Sequence, residues 1–249
     1  MLNTINPVAR IIALLLFTTP LLISVDIVSA AVSLTWTIMG ASILGVPYRV
    51  LFRRSLPIIL ITPISGMSMV LYGRPEGQEY FSFFFAHVTD NSLSLAAAIM
   101  VRVLAVGLPV IVLLGTIDPT ELGDGLSQNL KLPPRFVIGT VAGARLVSLF
   151  RRDWEAMQRA RRVRGLDGQG RIRRALTMTF GLLVLAIRRG TKLATAMEAR
   201  GFGLDAPRTW ARESHWGTKE TKLVVICFLA GIASIGIAVW CGSFRFLGA

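Results

Sequence analysis

The chain is poor in charge, cysteine and histidine. Charged residues make up 16% of its 249 positions, against roughly a quarter in an ordinary soluble domain. Its two cysteines, Cys227 and Cys241, lie 14 residues apart in one apolar run. On a single helix that is about 21 Å of rise, far beyond the ~7 Å reach of a disulfide. His87 and His215 have no metal-ligand spacing to these cysteines. Catalytic signatures are missing too. No Gly-x-x-x-x-Gly-Lys-Ser/Thr phosphate loop, Gly-x-Ser-x-Gly turn or His-Glu-x-x-His stands anywhere in the chain. Gly168-Gln169-Gly170 follows a helical pattern rather than a strand, which excludes a dinucleotide fingerprint. The sequence carries no machinery for hydrolysing ATP, and none for holding a metal or a cofactor.

What is abundant is apolar sequence, at 53% of residues. Five runs approach membrane-spanning length: Ile11–Val25, Ile27–Val46, Leu56–Tyr72, Leu93–Leu114 and Leu223–Phe246. Val28-Ser29-Ala30 resembles a signal-cleavage site, but apolar sequence resumes at Ala31-Val32. Two antiparallel spans joined at Asp26 are the better reading. The expected fold class is therefore an all-α polytopic membrane protein.

The net charge of +13 is a topology signal and no sign of nucleic acid. Arg49, Arg53 and Arg54 separate the second and third runs. The segment 116–221 holds 19 Lys or Arg against 10 Asp or Glu. The remaining acids, Asp26, Glu76, Glu79 and Asp90, fall in the other two connections. Because basic loops stay in the cytoplasm, the N-terminus is expected inside, with the Gly73–Asn91 connection outside. The aromatic run Tyr80–Phe85 in that connection suits an interfacial belt. Arg102 sits deep in the fourth run. An intramembrane charge is a candidate functional group, to be weighed against an arginine that snorkels or bonds backbone carbonyls inside the bundle.

The segment 116–221 divides into three helices. Asp118, Pro119 and Glu121 suit a helix start, and a short helix is expected to about Asn129, before Leu132-Pro133-Pro134 breaks it. A long helix is expected from Pro134 to Gly165. Leu146, Phe150, Trp154 and Met157 give it an apolar stripe, and Arg145, Arg152, Arg159 and Arg162 an opposite basic side. Gly139 and Gly143 share a face and mark an expected helix crossing. A second long helix is expected from Arg171 to Gly201. A shift of 36 residues aligns Arg152 with Arg188, Ala160 with Ala196, Arg164 with Arg200 and Gly165 with Gly201. Arg followed by Gly is a common helix stop; its recurrence on two paired helices of similar length points beyond capping.

This pattern resembles the transmembrane (T) component of energy-coupling-factor (ECF) transporters, a branch of ABC importers for vitamins and transition-metal ions. The resemblance covers nearly the whole layout. It rests on Asp118-Pro119-x-Glu121-Leu122, on Leu132-Pro133-x-Arg135-Phe136, and on two Ala-Arg-Gly-type endings. Of these, Ala199-Arg200-Gly201 matches fully, while Val163-Arg164-Gly165 has Val where Ala is usual. The resemblance implies a membrane domain of four spans (1–115), a cytoplasmic coupling domain (116–221) and a final span (222–249). It implies a multi-pass protein of a prokaryotic plasma membrane. Its implied partners are the bilayer, a membrane substrate-binding (S) component and two ABC-type ATPases, one per Arg-Gly motif. ATP and Mg would bind to the ATPases, and this chain would not be an enzyme. Two other readings follow from the residues alone. One is the substrate-binding permease of a conventional ABC importer. The other is a membrane-embedded enzyme using Asp118, Glu121 and Asp124.

Overall fold

A computed structural model describes residues 4–24, 26–72, 79–83, 86–166, 170–204 and 209–243. The chain divides into two compact units, one of residues Met1–Asp118 with His215–Ala249 and the other of Pro119–Ser214. Among the described residues there are eight helices and one short hairpin.

The first unit holds α1 (Pro7–Ile23), α2 (Ile27–Ile43), α3 (Tyr48–Tyr72), α4 (Asp90–Leu114) and α8 (Thr218–Trp240). Local chemistry sets their starts. The Asn6 side chain accepts from Val8 N at 3.0 Å, with Pro7 as the first helical residue. Asp26 caps α2 by accepting from Ser29 N at 2.7 Å. Thr89 and Ser92 form a reciprocal capping box on α4. Inside the unit, α1 packs on α8 and α3 on α4, while α2 touches both α4 and α8.

Three of these helices are long and apolar enough to cross a membrane: Tyr48–Leu71, Asp90–Leu114 and Thr218–Trp240. Helices α1 and α2 are apolar but have 17 residues each, about 26 Å of rise against a hydrocarbon core of roughly 30 Å. The five expected spans are thus three long helices and two shorter ones. Helix α2 stops three residues before the expected Val46 because Gly45 takes φ +75°. The chain then closes a double C-cap, Gly45 N to Ser42 O and Val46 N to Ala41 O. Gly242, at φ +67°, ends α8 in the same way; the expected end at Phe246 lies outside the described residues.

The connection before α4 contains a feature the sequence reading lacked. Residues Glu79–Phe83 (β1) and Ala86–Thr89 (β2) pair as an antiparallel hairpin. Alternating aromatic residues favour a strand as readily as an interfacial loop. The expected belt residues Phe84 and Phe85 lie outside the described residues.

Small residues allow the tightest approaches. A Cβ on Gly231 of α8 would lie 3.1 Å from the Phe17 carbonyl oxygen and 3.2 Å from that of Leu16. Pro20 lies inside α1 and has no N–H to offer the Leu16 carbonyl four residues earlier. The helix backbones therefore meet where α1 has a free acceptor. Likewise Gly107 of α4 receives Ile58 of α3, and Gly66 of α3 receives Met100 of α4.

The second unit is built from α5 (Pro119–Gln128), α6 (Pro134–Val163) and α7 (Arg171–Ala199). Their limits fall within one or two residues of expectation. The returning segment is tied to α5: Gln128 Nε2 donates to Arg212 O, and Ser214 N donates to Gln128 Oε1, both at 2.7 Å.

Candidate docking site at two helix tips

Helices α6 and α7 have 30 and 29 residues, about 45 Å each at 1.5 Å per residue. Four contacts fix how they pair. Arg135 Nη2 donates to Gly203 O at 2.8 Å. Asp153 forms a two-pronged ion pair with Arg189, one arm of which is 2.9 Å. A Cβ on Gly181 would lie 3.4 Å from the Met157 sulfur. Arg161 Nη1 donates to Thr177 Oγ1 at 3.1 Å. Residue numbers rise along one helix as they fall along the other, so the pair is antiparallel. The two C-terminal tips therefore lie at opposite ends of it.

Each tip has the same construction. Arg164 and Arg200 are the C-caps of α6 and α7. Gly165 follows at φ +68° and Gly201 at φ +79°, conformations open to glycine at no steric cost. Gly165 N donates to Arg162 O at 3.0 Å. Gly201 N donates to Glu198 O and Phe202 N to Met197 O, each at 2.9 Å, a complete Schellman cap. Val163, Arg164, Ala199 and Arg200 are all exposed, Val163 at 89%. Among the described residues neither the Arg164 nor the Arg200 guanidinium has a hydrogen-bond or ion-pair partner.

The sides of the helices are exposed as well. Met178 alone is buried on α7, and Val137 alone on α6. Ile172, Leu176, Phe180, Leu183 and Ile187 are exposed, and their spacing puts them on one face of α7. Between α5, α6 and α7 a cleft of about 430 Å³ is lined by Val141, Leu146, Leu149, Leu193, Trp210 and Arg145, among others.

Gly139 and Gly143 do not make the expected crossing within the chain: a Cβ on either would meet nothing within 4 Å. The reason is angular. Val137 is buried, and Val141 packs toward Gly123 of α5. Each glycine stands two residues further on, about 200° around the helix, and so faces away.

Arg102 donates through Nη2 to the Leu21 carbonyl. That carbonyl is in the last turn of α1, where acceptors lack intrahelical donors. The bond gives the Arg102 guanidinium a backbone partner at a helix end. The sequence reading passed over a second arginine. Arg10 is 1% exposed; its Nε and Nη2 donate to Ile5 O at 3.1 and 2.9 Å, and its Nη1 to Thr116 Oγ1 at 3.2 Å. Nearby, Glu220 accepts from Asn6 N and Gly217 N, and Asn6 Nδ2 donates to His215 O. Thr116 and His215 flank the two places where the chain leaves and re-enters the first unit. No signal marked Arg10 in advance, since one basic residue ahead of an apolar run looks like a topology determinant.

Among the described residues no group of three or more His, Cys, Asp or Glu side chains is placed to hold a metal ion. Asp118, Glu121 and Asp124 are thus not assembled into such a group.

Comparison with known proteins agrees with this architecture. The family model described as cobalt transport protein (CbiQ) matches residues 4–210. An energy-coupling factor transporter transmembrane protein from Exiguobacterium sibiricum is 28% identical, over 80% of this chain and 80% of its own. The protein of the same name from Bacillus subtilis is 26% identical, over 90% of this chain and 89% of its own. That from Lactococcus lactis subsp. cremoris is 23% identical, over 94% and 92%. With the family model covering most of its length and the long-helix pair in place, the chain belongs to the cobalt transport protein (CbiQ) family and is a transmembrane T component of the ECF transporter type.

Proposed function

We propose that this chain couples ATP hydrolysis by two partner ATPases to the movement of a membrane S component that carries a vitamin or metal ion. Arg164 and Arg200 are the ATPase attachment points, one per ATPase, within the motifs Val163-Arg164-Gly165 and Ala199-Arg200-Gly201. The observation that carries the reading is the state of these two arginines: exposed, unpartnered among the described residues, and at opposite ends of one antiparallel helix pair. A guanidinium offers five donors in a rigid fork, suited to an acidic groove on a partner. The exposed apolar face of α7 supports an apolar partner beside it, and the S component has that chemistry. ATP and Mg belong to the ATPases, and the chain's own part is mechanical.

The test is co-purification in mild detergent with substrate uptake measured alongside. Removing one side of a buried charged contact costs roughly 2–5 kcal/mol, about 30- to several-thousand-fold in affinity. Arg164→Ala or Arg200→Ala alone keeps some ATPase bound through the other tip and loses much of the uptake. The double variant releases the ATPases and leaves the membrane part intact. Normal ATPase content and uptake in the double variant would reduce both motifs to helix caps.

The same reading puts the N-terminus and residues 119–214 in the cytoplasm, following the basic residues. Single cysteines replacing Gln78 or Gly168 in a cysteine-free background test this with an impermeant reagent on intact cells. Labelling is expected at 78; labelling at 168 alone would reverse the orientation.

A further inference from the structure

The 36-residue repeat that relates the two Arg-Gly tips has a structural counterpart at its centre. The same shift that carries Arg164 onto Arg200 carries Asp153 onto Arg189, and these two residues form the ion pair joining α6 to α7. When two related helices run antiparallel, equivalent residues meet only at the twofold axis between them. The Asp153–Arg189 pair therefore marks a pseudo-twofold axis. From it each docking arginine is 11 residues away, about 16 Å along its own helix, in opposite directions. The arms are equal.

The surroundings of the two arms are not. On the Arg164 side, Met157 packs against Gly181, and Arg161 bonds Thr177. The repeat carries Met157 onto Leu193 and relates Gly181 to Arg145. Both of those residues line the open cleft beside α5. The Arg164 arm is held by these contacts, while the Arg200 arm borders the cleft and is tied to α6 beside its tip, where Arg135 Nη2 donates to Gly203 O at 2.8 Å. The ion pair between them is half-buried, with side-chain exposures of 35% for Arg189 and 18% for Asp153, and its two parallel bonds fix orientation as well as distance.

Resting on the coupling role proposed above, we propose that the Asp153–Arg189 pair is the pivot of a two-armed lever. Force applied at the Arg164 and Arg200 tips turns α6 against α7 about this pair, and the cleft lined by Leu146, Leu149 and Leu193 gives the Arg200 arm room to move. The two residues are positioning residues: they touch neither nucleotide nor substrate. They keep the crossing point fixed so that displacement of the tips is delivered as rotation rather than lost as sliding. Helix pairs slide readily over apolar contacts, and a bidentate ion pair resists that sliding.

The experiment uses the complete transporter, purified with its ATPases and S component and reconstituted in vesicles. Substrate imported per ATP hydrolysed is measured for wild type, Asp153→Asn, Arg189→Gln and the exchanged pair Asp153→Arg with Arg189→Asp. The single variants are expected to hold wild-type amounts of both partners and to lose at least about fivefold in substrate per ATP, the lower end of ordinary coupling between sites. Because the positions are equivalent under the repeat, the exchanged pair puts each side chain in its counterpart's surroundings, and it should regain most of the lost coupling. Unchanged substrate per ATP in both single variants would overturn the pivot while leaving the tips' role intact. Loss of the ATPases from both would overturn it as well, the pair then being a brace for assembly. A wild-type complex without ATPase would overturn the coupling reading itself, and the pivot with it.

Discussion

The two units use arginine in opposite ways at helix C-termini, although Arg135, Arg161 and Arg189 of the second bond within it. In the first, Arg10 bonds a backbone carbonyl and a threonine hydroxyl, Arg54 the Gly115 carbonyl and Arg102 the Leu21 carbonyl. Each charge closes an acceptor that a helix end or a turn leaves open. In the second, Arg164 and Arg200 stand at helix ends of the same glycine-stopped kind, yet extend into solvent with no partner among the described residues. The stop itself does not require arginine. Helices α2 and α8 end with a glycine at positive φ preceded by Leu44 and Cys241. Gly165 and Gly201 thus repeat a device common to the whole fold, and the arginine before them is what distinguishes the tips. An arginine that completes a fold is used up by its own chain; one left at a tip is available to another chain.

That contrast breaks if the two kinds of arginine respond alike to removal. Arg10→Met takes both donors from the half-buried Ile5 carbonyl, while the exposed Thr116 hydroxyl turns to water instead. At roughly 1–3 kcal/mol for one unsatisfied group, the isolated chain should lose about that much. Arg200→Ala, an exposed substitution, should stay within about 0.5 kcal/mol while weakening ATPase capture. Thermal midpoints of the purified chain in detergent, read beside ATPase content in the complex, separate the two. A large drop for Arg200→Ala, or none for Arg10→Met, would end the distinction.

How much of this was legible in the sequence follows the same division. The helices of the second unit were readable almost to the residue, because Pro119, Pro134, Gly165 and Gly201 are strong local signals that act without tertiary context. Their repeat was visible as aligned Arg-Gly endings. Its meaning as a pseudo-twofold axis was not, since it depends on Asp153 meeting Arg189 across two helices. In the membrane unit the apolar runs announced helices, but Gly45 and Gly242 cut α2 and α8 earlier than hydropathy alone suggests. The hairpin was missed because its aromatic alternation fits a strand and an interfacial loop equally. Arg10 was missed because its partners come from residues more than a hundred positions away. Gly139 and Gly143 carried a crossing signal, yet the close backbone approach is made by Gly231, which stood unremarked inside an apolar run.

Those glycines give the second and finer way to test the comparison, because the two units predict opposite signs. At Gly231 a new methyl would press on the Phe17 and Leu16 carbonyls, at 3.1 and 3.2 Å. These are backbone atoms that cannot swing aside. Gly231→Ala should therefore destabilise the chain by about 1–3 kcal/mol, the usual cost of overpacking. At Gly139 and Gly143 a methyl meets open space, and alanine is favoured over glycine inside a helix by roughly 0.5–1 kcal/mol. Gly139→Ala and Gly143→Ala should each leave the isolated chain slightly more stable. We propose that the crossing expected at this face is made with a partner helix, which a larger side chain tests. The double change Gly139→Leu with Gly143→Leu should keep the chain folded and lower the amount of S component recovered with it. Wild-type recovery and uptake in that double variant would show that no helix packs there. A destabilised isolated chain would show that the face is covered by the chain itself.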